Sequence, residues 1–306
     1  MKLINSILAL TGCLFLGTAC CDEAGTQESD RKVPLEIRVA GGNGRSVIEG
    51  TTIPYQTSFG IFGTTAYPEG TVDEAICNLS VFYDGSCSMT SPVMLDAEPR
   101  YLKAYYPYSE TMSEGVMEVN IRDQVDLLYG VSVEEDQPAS VNNEHPVATV
   151  AFRHVLARLT FRVRQTENIM NPFLLSGLGV SPLYQTATWD VLNQQLTSGF
   201  LSEYTFPLFQ EVTQEFASFD FLVIPMETED SRELTFFFAD GQERQVQLPI
   251  GEWRAGQQYT YDVIFDADTV HISEAAILPW DCVTDEETII TDGVTEDTDN
   301  ENVVND

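Results

Sequence analysis

From Val33 onward the chain is written in short runs of alternating apolar and polar residues broken by turn formers. Leu35, Ile37 and Val39 alternate with Glu36 and Arg38, and Gly41-Gly42-Asn43-Gly44 ends the run. That period of two is the side-chain repeat of a strand with one buried face. Phe82-Tyr83-Asp84-Gly85-Ser86 predicts a hairpin with a two-residue turn at Asp84-Gly85, the pair that best tolerates positive φ. Asp240-Gly241 predicts a second, between Leu234–Phe238 and Arg244–Leu248. Tyr259, Tyr261, Val263 and Phe265 fall on one face of a further strand. No segment keeps a helical period for more than a few turns. The pattern therefore predicts an all-β protein of sandwich or barrel type with few short helices.

Between Val150 and Arg164 the parity changes. Val150, Phe152, His154 and Leu156 share one face, whereas Leu159, Phe161 and Val163 continue on the other. A one-residue slip reverses every side chain of a strand, so the chain must kink, bulge or turn near 156–159, with His154 facing inward at the bend. The polar run Glu134–Pro146, which holds two prolines, is the best linker in the text. The division it predicts is an N-terminal sandwich at 32–145 and a C-terminal one at 146–282, a split that suits 306 residues.

Charge narrows the partners. The chain has 48 acidic and 15 basic side chains, a formal net charge of −33, with lysine only at 2, 32 and 103. Nucleic-acid binding rests on neutralising phosphates, so nucleic acid is excluded as a partner, and so is electrostatic docking to an anionic membrane face. Residues 281–306 hold ten acids and no base, which reads as a solvated acidic tail. At the other end, Met1-Lys2 leads into an apolar run that closes at Gly17-Thr18-Ala19-Cys20, the layout of an export signal too short for a stable membrane span. Residues 1–19 are the expected signal peptide and 20–31 an acidic tether. Small residues before a cysteine are similar to the lipobox of bacterial lipoproteins. Cys20 is the expected lipidation site, and Cys13, after Leu10-Thr11-Gly12, is the alternative.

The chemistry expected of the chain is structural. His145, His154 and His271 are its three histidines, too few and too scattered for a His-rich metal site, and His154 reads as a hydrogen-bonded bend residue. No Gly-Xaa-Ser-Xaa-Gly elbow, phosphate loop or dinucleotide fingerprint occurs. Asp297–Glu301 alternates oxygen ligands, but Asn302 stands where a calcium loop needs glycine. No catalytic residue, cofactor or metal is expected. Cys77 and Cys87 invite a disulfide in an exported chain, yet a hairpin turn at Asp84-Gly85 separates them by about five ladder positions, beyond the reach of a disulfide. Tyr105, Tyr106 and Tyr108 offer a sugar platform; packing between sheets is the expected use of at least two of them.

Five stretches carry a resemblance: Arg45–Pro54 leading to Phe59-Gly60-Ile61-Phe62; Leu102–Tyr108; Asp126–Gly130; Phe152–Leu159; and Trp253–Tyr261 followed by Ile277-Leu278-Pro279-Trp280. In this order and spacing the chain resembles the fimbrillin family of Bacteroidota, subunits of surface pili and related adhesins. The resemblance implies two tandem transthyretin-like β-sandwiches, no catalytic residues, other pilus subunits as partners, and a lipid anchor in the outer membrane with the chain exposed at the surface. It also implies assembly by strand exchange, in which an extended segment of one subunit fills a vacant strand position of the next. Family precursors are cut by an Arg-specific protease that removes the first strand. Here Arg45 closes the Gly-rich loop after Val39, where a protease can draw in the backbone. The alternative is that Arg45 stays a surface charge and the first strand remains for life, as in an anchor subunit. The expected donor is Glu287-Thr288-Ile289-Ile290-Thr291, the β-prone run of the tail at 283–306. The rival readings are a surface glycan-binding lipoprotein using exposed aromatics and a β-sandwich hydrolase. The state of Cys77, Cys87 and Cys282, the role as stalk, tip or anchor, and any host or bacterial surface ligand stay open.

Lipidation gives the first test. Mass spectrometry of the mature protein should find a diacylated N-terminal peptide beginning Cys20-Cys21-Asp22. Cys20→Ala should release the protein from the membrane fraction; full retention would move the assignment to Cys13.

Overall fold

A computed structural model describes residues 31–40, 53–112, 114–226, 231–248 and 251–280. Among them the helical segments are two single 3-10 turns, Glu74–Ile76 and Ile121–Asp123, and the rest is strand and loop. The protein is all-β, as the alternation predicts. No helix among the described residues is long and apolar enough to cross a membrane.

The first sheet has nine strands. Seven run across it in the order Glu36–Val39, Val147–His154, Leu128–Glu134, Arg100–Tyr106, Thr57–Thr64, Leu79–Tyr83, Cys87–Met89, with Gln137–Pro138 and Ser140–Val141 attached beside them. The first pair is parallel and the other neighbours are antiparallel. The sheet folds over its own core, which takes Leu35, Ile37, Phe59, Ile61, Val81, Leu102, Ala104, Leu128, Val150 and Phe152 from six of its strands. The second half packs two sheets face to face. One holds Ala217–Val223, Ala157–Gln165, Gln257–Phe265, Val270–Ile272 and Ala276–Pro279; the other holds Leu201–Val212, Phe173–Tyr184, Arg232–Phe238 and Glu243–Leu248. Tyr259, Tyr261, Val263 and Phe265 all face the core between them, as expected, and Phe265 meets Phe236 edge-on at 5.2 Å.

Three expectations need correction. Val147–His154, beyond the division expected at 145/146, pairs with Glu36–Val39 on one side and Leu128–Glu134 on the other. It is therefore a strand of the first sheet, and the change of sheet falls at Val155-Leu156, between His154 and the strand Ala157–Gln165. The parity change in the sequence marks that crossing, while the polar run 134–146 folds onto the first sheet through its two short strands. Both hairpin loops are one residue longer than the expected two. Tyr83 pairs with Cys87, because the amide and hydroxyl of Ser86 bond Asp84 Oδ1 at 3.3 and 2.9 Å and hold Ser86 in the loop, with Gly85 at φ 97°. In the second, Phe238 N–H bonds Gln242 C=O at 2.9 Å and Gly241 takes φ 88°, the three-residue loop with a left-handed glycine.

Strands Thr57–Thr64 and Arg100–Tyr106 are buried on both faces. Phe59 and Ile61 face the first core, whereas Phe62 and Tyr105 belong to the core of the second half. The halves are joined on that side. Val116–Asn120 from the first pairs with Thr186–Asp190 of the second, and Trp189, 1% exposed, meets Tyr105 edge-on at 6.5 Å. Lys103, on the same face as Tyr105 and 1% exposed, donates from Nζ to Leu192 C=O across the joint and to Pro68 C=O at 2.5 Å. Gly60 lies opposite Tyr105, and a Cβ there would sit 2.0 Å from the ring. The glycine thus makes room for the aromatic that seals the joint.

Burial also sets the alkaline limit of this core. It pushes the hydroxyl of Tyr105 up to about 12 and raises Tyr129, Tyr259 and Tyr261 above 10.0. A raised folded value means the folded state keeps its proton longer than the unfolded one, so this stability is full below pH 10 and is lost as pH rises past it. Burial lowers Lys103 below 10.5, against Asp190 and Glu69, so its contribution to the folded state grows as pH rises up to 10.5 and does not offset the tyrosines above that. Spectrophotometric titration should therefore show a set of the twelve tyrosines ionising only with cooperative unfolding. Independent, reversible titration of all of them near pH 10 would contradict the packing.

Candidate functional site

A sheet that does not close on itself ends in two rows of unpaired backbone groups, each a template for another strand. Here the two ends are Glu36–Val39 and Cys87–Met89, and both line one open groove of about 670 Å³. In the first strand Leu35, Ile37 and Val39 are buried (5%, 7% and 8% exposed) while Glu36 and Arg38 face solvent. Glu36 N–H bonds Pro146 C=O at 2.9 Å and Ala40 N–H bonds Val150 C=O at 2.8 Å, so these amides point toward Val147–His154. Leu35 N–H points the other way, to Val93 C=O at 2.8 Å. Amide direction alternates along a strand, so those of Ile37 and Val39 face the groove, where no strand of the sheet pairs with them.

The groove's far wall is the hairpin strand Cys87–Met89 with Val81 and Tyr83. Burial, and next the Asp84 carboxylate, push the Cys87 thiol up to about 11, so it stays protonated at neutral pH and serves as a small apolar wall residue. No disulfide joins it to Cys77. Cys77 packs against the core of the second half and Cys87 against that of the first, on opposite sides of the sheet, a firmer obstacle than ladder distance alone.

Three buried apolar side chains hold the first strand in place. At about 1.5–3 kcal/mol each they contribute roughly 5–9 kcal/mol, an upper figure because the free strand also hides some surface. The exposed Arg38–Glu36 pair at 3.7 Å adds little. Spontaneous loss of the strand is therefore rare, and cutting the loop behind it is not enough to empty the slot.

The expected site residues Cys20 and Arg45, the alternative Cys13, and the tail with Cys282 and the donor run 287–291 lie outside the described residues. Tyr105 is fully buried, and Tyr106 and Tyr108 are half-buried against the two different cores, so the three do not form a sugar platform. No group of three metal-ligating side chains occurs among the described residues. His154 sits at the end of its strand with its side chain 7% exposed. Its Nδ1 lies 2.9 Å from Asp126 Oδ1, and its ring stacks on Trp280 at 3.6 Å between centroids, 10° from parallel. The inward-facing bend residue read from the sequence is therefore also the contact that fastens Trp280, the residue after the last strand, at the crossing between the halves. Its partner Asp126 is 28 residues away and carries no sequence signal of the pairing. The groove's far wall was missed for a related reason: in a three-residue strand such as Cys87–Met89, alternation is too brief to identify an edge.

Two β halves are thus joined edge and face, with one sheet left open. Residues 46–280 match the model of the fimbrillin-like family, and the chain belongs to that family. Among solved structures it is similar to a candidate cell adhesion protein from Bacteroides uniformis ATCC 8492, at 19% identity and TM-score 0.63, covering 81% of this chain and 99% of that one. A second, from Bacteroides ovatus ATCC 8483, has 16% identity and TM-score 0.64, covering 82% and 98%. A fimbrial protein from Bacteroides vulgatus ATCC 8482 has 14% identity and TM-score 0.52, covering 82% and 100%. At these identities the likeness is one of fold. Among curated proteins none matches.

The stack at the crossing predicts that His154→Ala lowers stability by about 1–3 kcal/mol, the loss of a buried hydrogen bond, measured by urea denaturation. Trp189 and Trp253 are each 1% exposed, so the accompanying change in native tryptophan fluorescence should report Trp280. Unchanged stability, or a stoichiometric metal ion lost with the substitution, would contradict this role.

Proposed function

We propose that the protein is a non-enzymatic subunit or adhesin of a surface pilus, anchored through Cys20 and assembled by strand exchange at the first-strand slot. The observation that carries this reading is the open first sheet: one end strand on each side of a single groove, each with its outer edge paired to no other strand of the sheet. Family membership gives the context, and the solved relatives described as adhesion or fimbrial proteins give the same direction.

In this account an Arg-specific protease cuts after Arg45. The first strand then remains attached by its ladder, its three apolar side chains and the contacts of Val33–Leu35 with Val93–Leu95 until a neighbour's strand displaces it. The donor comes from 283–306, with Ile289 or Ile290 taking the inward positions. The last described strand, Ala276–Pro279, lies at the sheet's border with Ile277 56% and Leu278 41% exposed. The excess of acid keeps separate chains apart by general repulsion, which leaves association to specific strand pairing.

Limited trypsin treatment followed by N-terminal sequencing tests the access step, and a new end at Ser46 is expected. Arg38 should resist, being held in the ladder. Concentration-dependent multimers should follow cleavage and be lost when residues 283–306 are deleted. Multimers that survive that deletion would exclude the tail as donor, and a Ser46 end without multimers would exclude cleavage as the trigger.

A further inference from the structure

A second cleft, of about 740 Å³, opens where the two halves meet. Tyr129 and Arg153 line it from the first sheet, where they are directly paired across neighbouring strands and so share a face. Trp189, Leu196 and Ser198 line it from the small sheet that bridges the halves, again as paired positions on one face. His154 and Arg254 close it at the crossing. The cleft exists only because the halves are joined, and it is distinct from the strand groove.

Its charge runs against the rest of the molecule. In a chain with about three acids for each base, the ionisable lining comprises Arg153, Arg254, His154 and two tyrosines, with no carboxylate. Arg254 pairs with Glu252 at 2.6 Å and His154 bonds Asp126, but Arg153 meets no carboxylate among the described residues. A guanidinium left unpaired in so acidic a protein is a ready partner for an incoming carboxylate, which it can hold with two parallel hydrogen bonds. A second group is also unsatisfied. Tyr129 Oη is buried beside Gln194, whose Nε2 also donates to Tyr67 Oη at 3.1 Å, and the Tyr129 hydroxyl's own hydrogen has no acceptor among the described residues. A buried hydroxyl without a partner is destabilising, and a ligand oxygen would relieve it.

The remaining lining sets the ligand's shape. Tyr184, Trp189 and Leu196 give an apolar wall, and Gln194 and Ser198 stand at its polar margin. One apolar face with hydrogen-bonding groups around it matches a pyranose ring, and the volume is that of a small-molecule pocket rather than a peptide track. We propose that this cleft binds the carboxylate-bearing sugar unit of an acidic glycan, with Arg153 on the carboxylate, the Tyr129 hydroxyl on a ring substituent and the aromatic wall against the ring.

Saturation-transfer NMR and calorimetry on the purified full chain test this, with D-glucuronate and N-acetylneuraminate as probes and glucose and N-acetylglutamate as controls. Saturable binding of at least one acidic sugar is expected, weakening as salt rises, with glucose and N-acetylglutamate binding at least tenfold more weakly. Arg153→Gln should weaken it about tenfold, one charge-assisted contact. Tyr129→Phe should weaken it severalfold with little change in melting temperature, since the hydroxyl it removes has no acceptor in the folded chain. Arg38→Gln, on the exposed face of the first strand, should leave it unchanged. Absence of binding by both acids, equal binding of glucose or N-acetylglutamate, or indifference to Arg153→Gln would overturn the proposal. None of these results bears on strand exchange, which uses a different surface.

Discussion

An open β-sheet must do something with its two ends, because every backbone amide there that meets neither strand nor water is destabilising. In this protein that constraint shapes the first half. The sheet folds over its core far enough to bring Glu36–Val39 and Cys87–Met89 to the same groove, and stops short of pairing them. The end strand is fastened by a parallel ladder on one side and three apolar side chains beneath, enough to keep it in place and replaceable only by something equivalent. A molecule built this way leaves a free strand edge on each side of the groove.

The other face of the same sheet does the opposite work. Phe62, Tyr105 and Lys103 on that face are buried by the second half, with Gly60 making room for the Tyr105 ring. The halves therefore share a core and a bridging sheet, and separating them would expose Trp189 and leave the Lys103 ammonium without its carbonyl partner. The His154–Trp280 stack lies at the crossing where the last described strand leaves. The cleft proposed for an acidic sugar is lined from both halves and from the sheet that bridges them.

Much of this was legible in the sequence where burial is one-sided. Leu35-Ile37-Val39 and Tyr259-Tyr261-Val263-Phe265 alternate cleanly because one face of each strand meets a core. The parity change near 156 was legible too, although its meaning, a passage between sheets, was not, since pairing partners lie far apart in the chain. Strands buried on both faces lose their alternation, which is why Thr57–Thr64 and Arg100–Tyr106 gave no hint that Lys103 is an interior residue. The hairpin loops were read one residue short because side-chain bonds from Asp84 to Ser86 decide the register, and Asp-Gly alone does not encode them. The cleft had no local signature: Tyr129, Arg153, Trp189 and Arg254 come together only through the fold.

The central claim is that one strand position is filled first from within and then by a neighbour. Hydrogen exchange in the segment 147–154, the ladder partner of the first strand, tests it most directly. The account predicts slow exchange of the amides on the first-strand side in the uncut protein and after cutting alone, fast exchange once the cut first strand is stripped away with no donor present, and slow exchange again in multimers. Multimers in which those amides remain fast would contradict it.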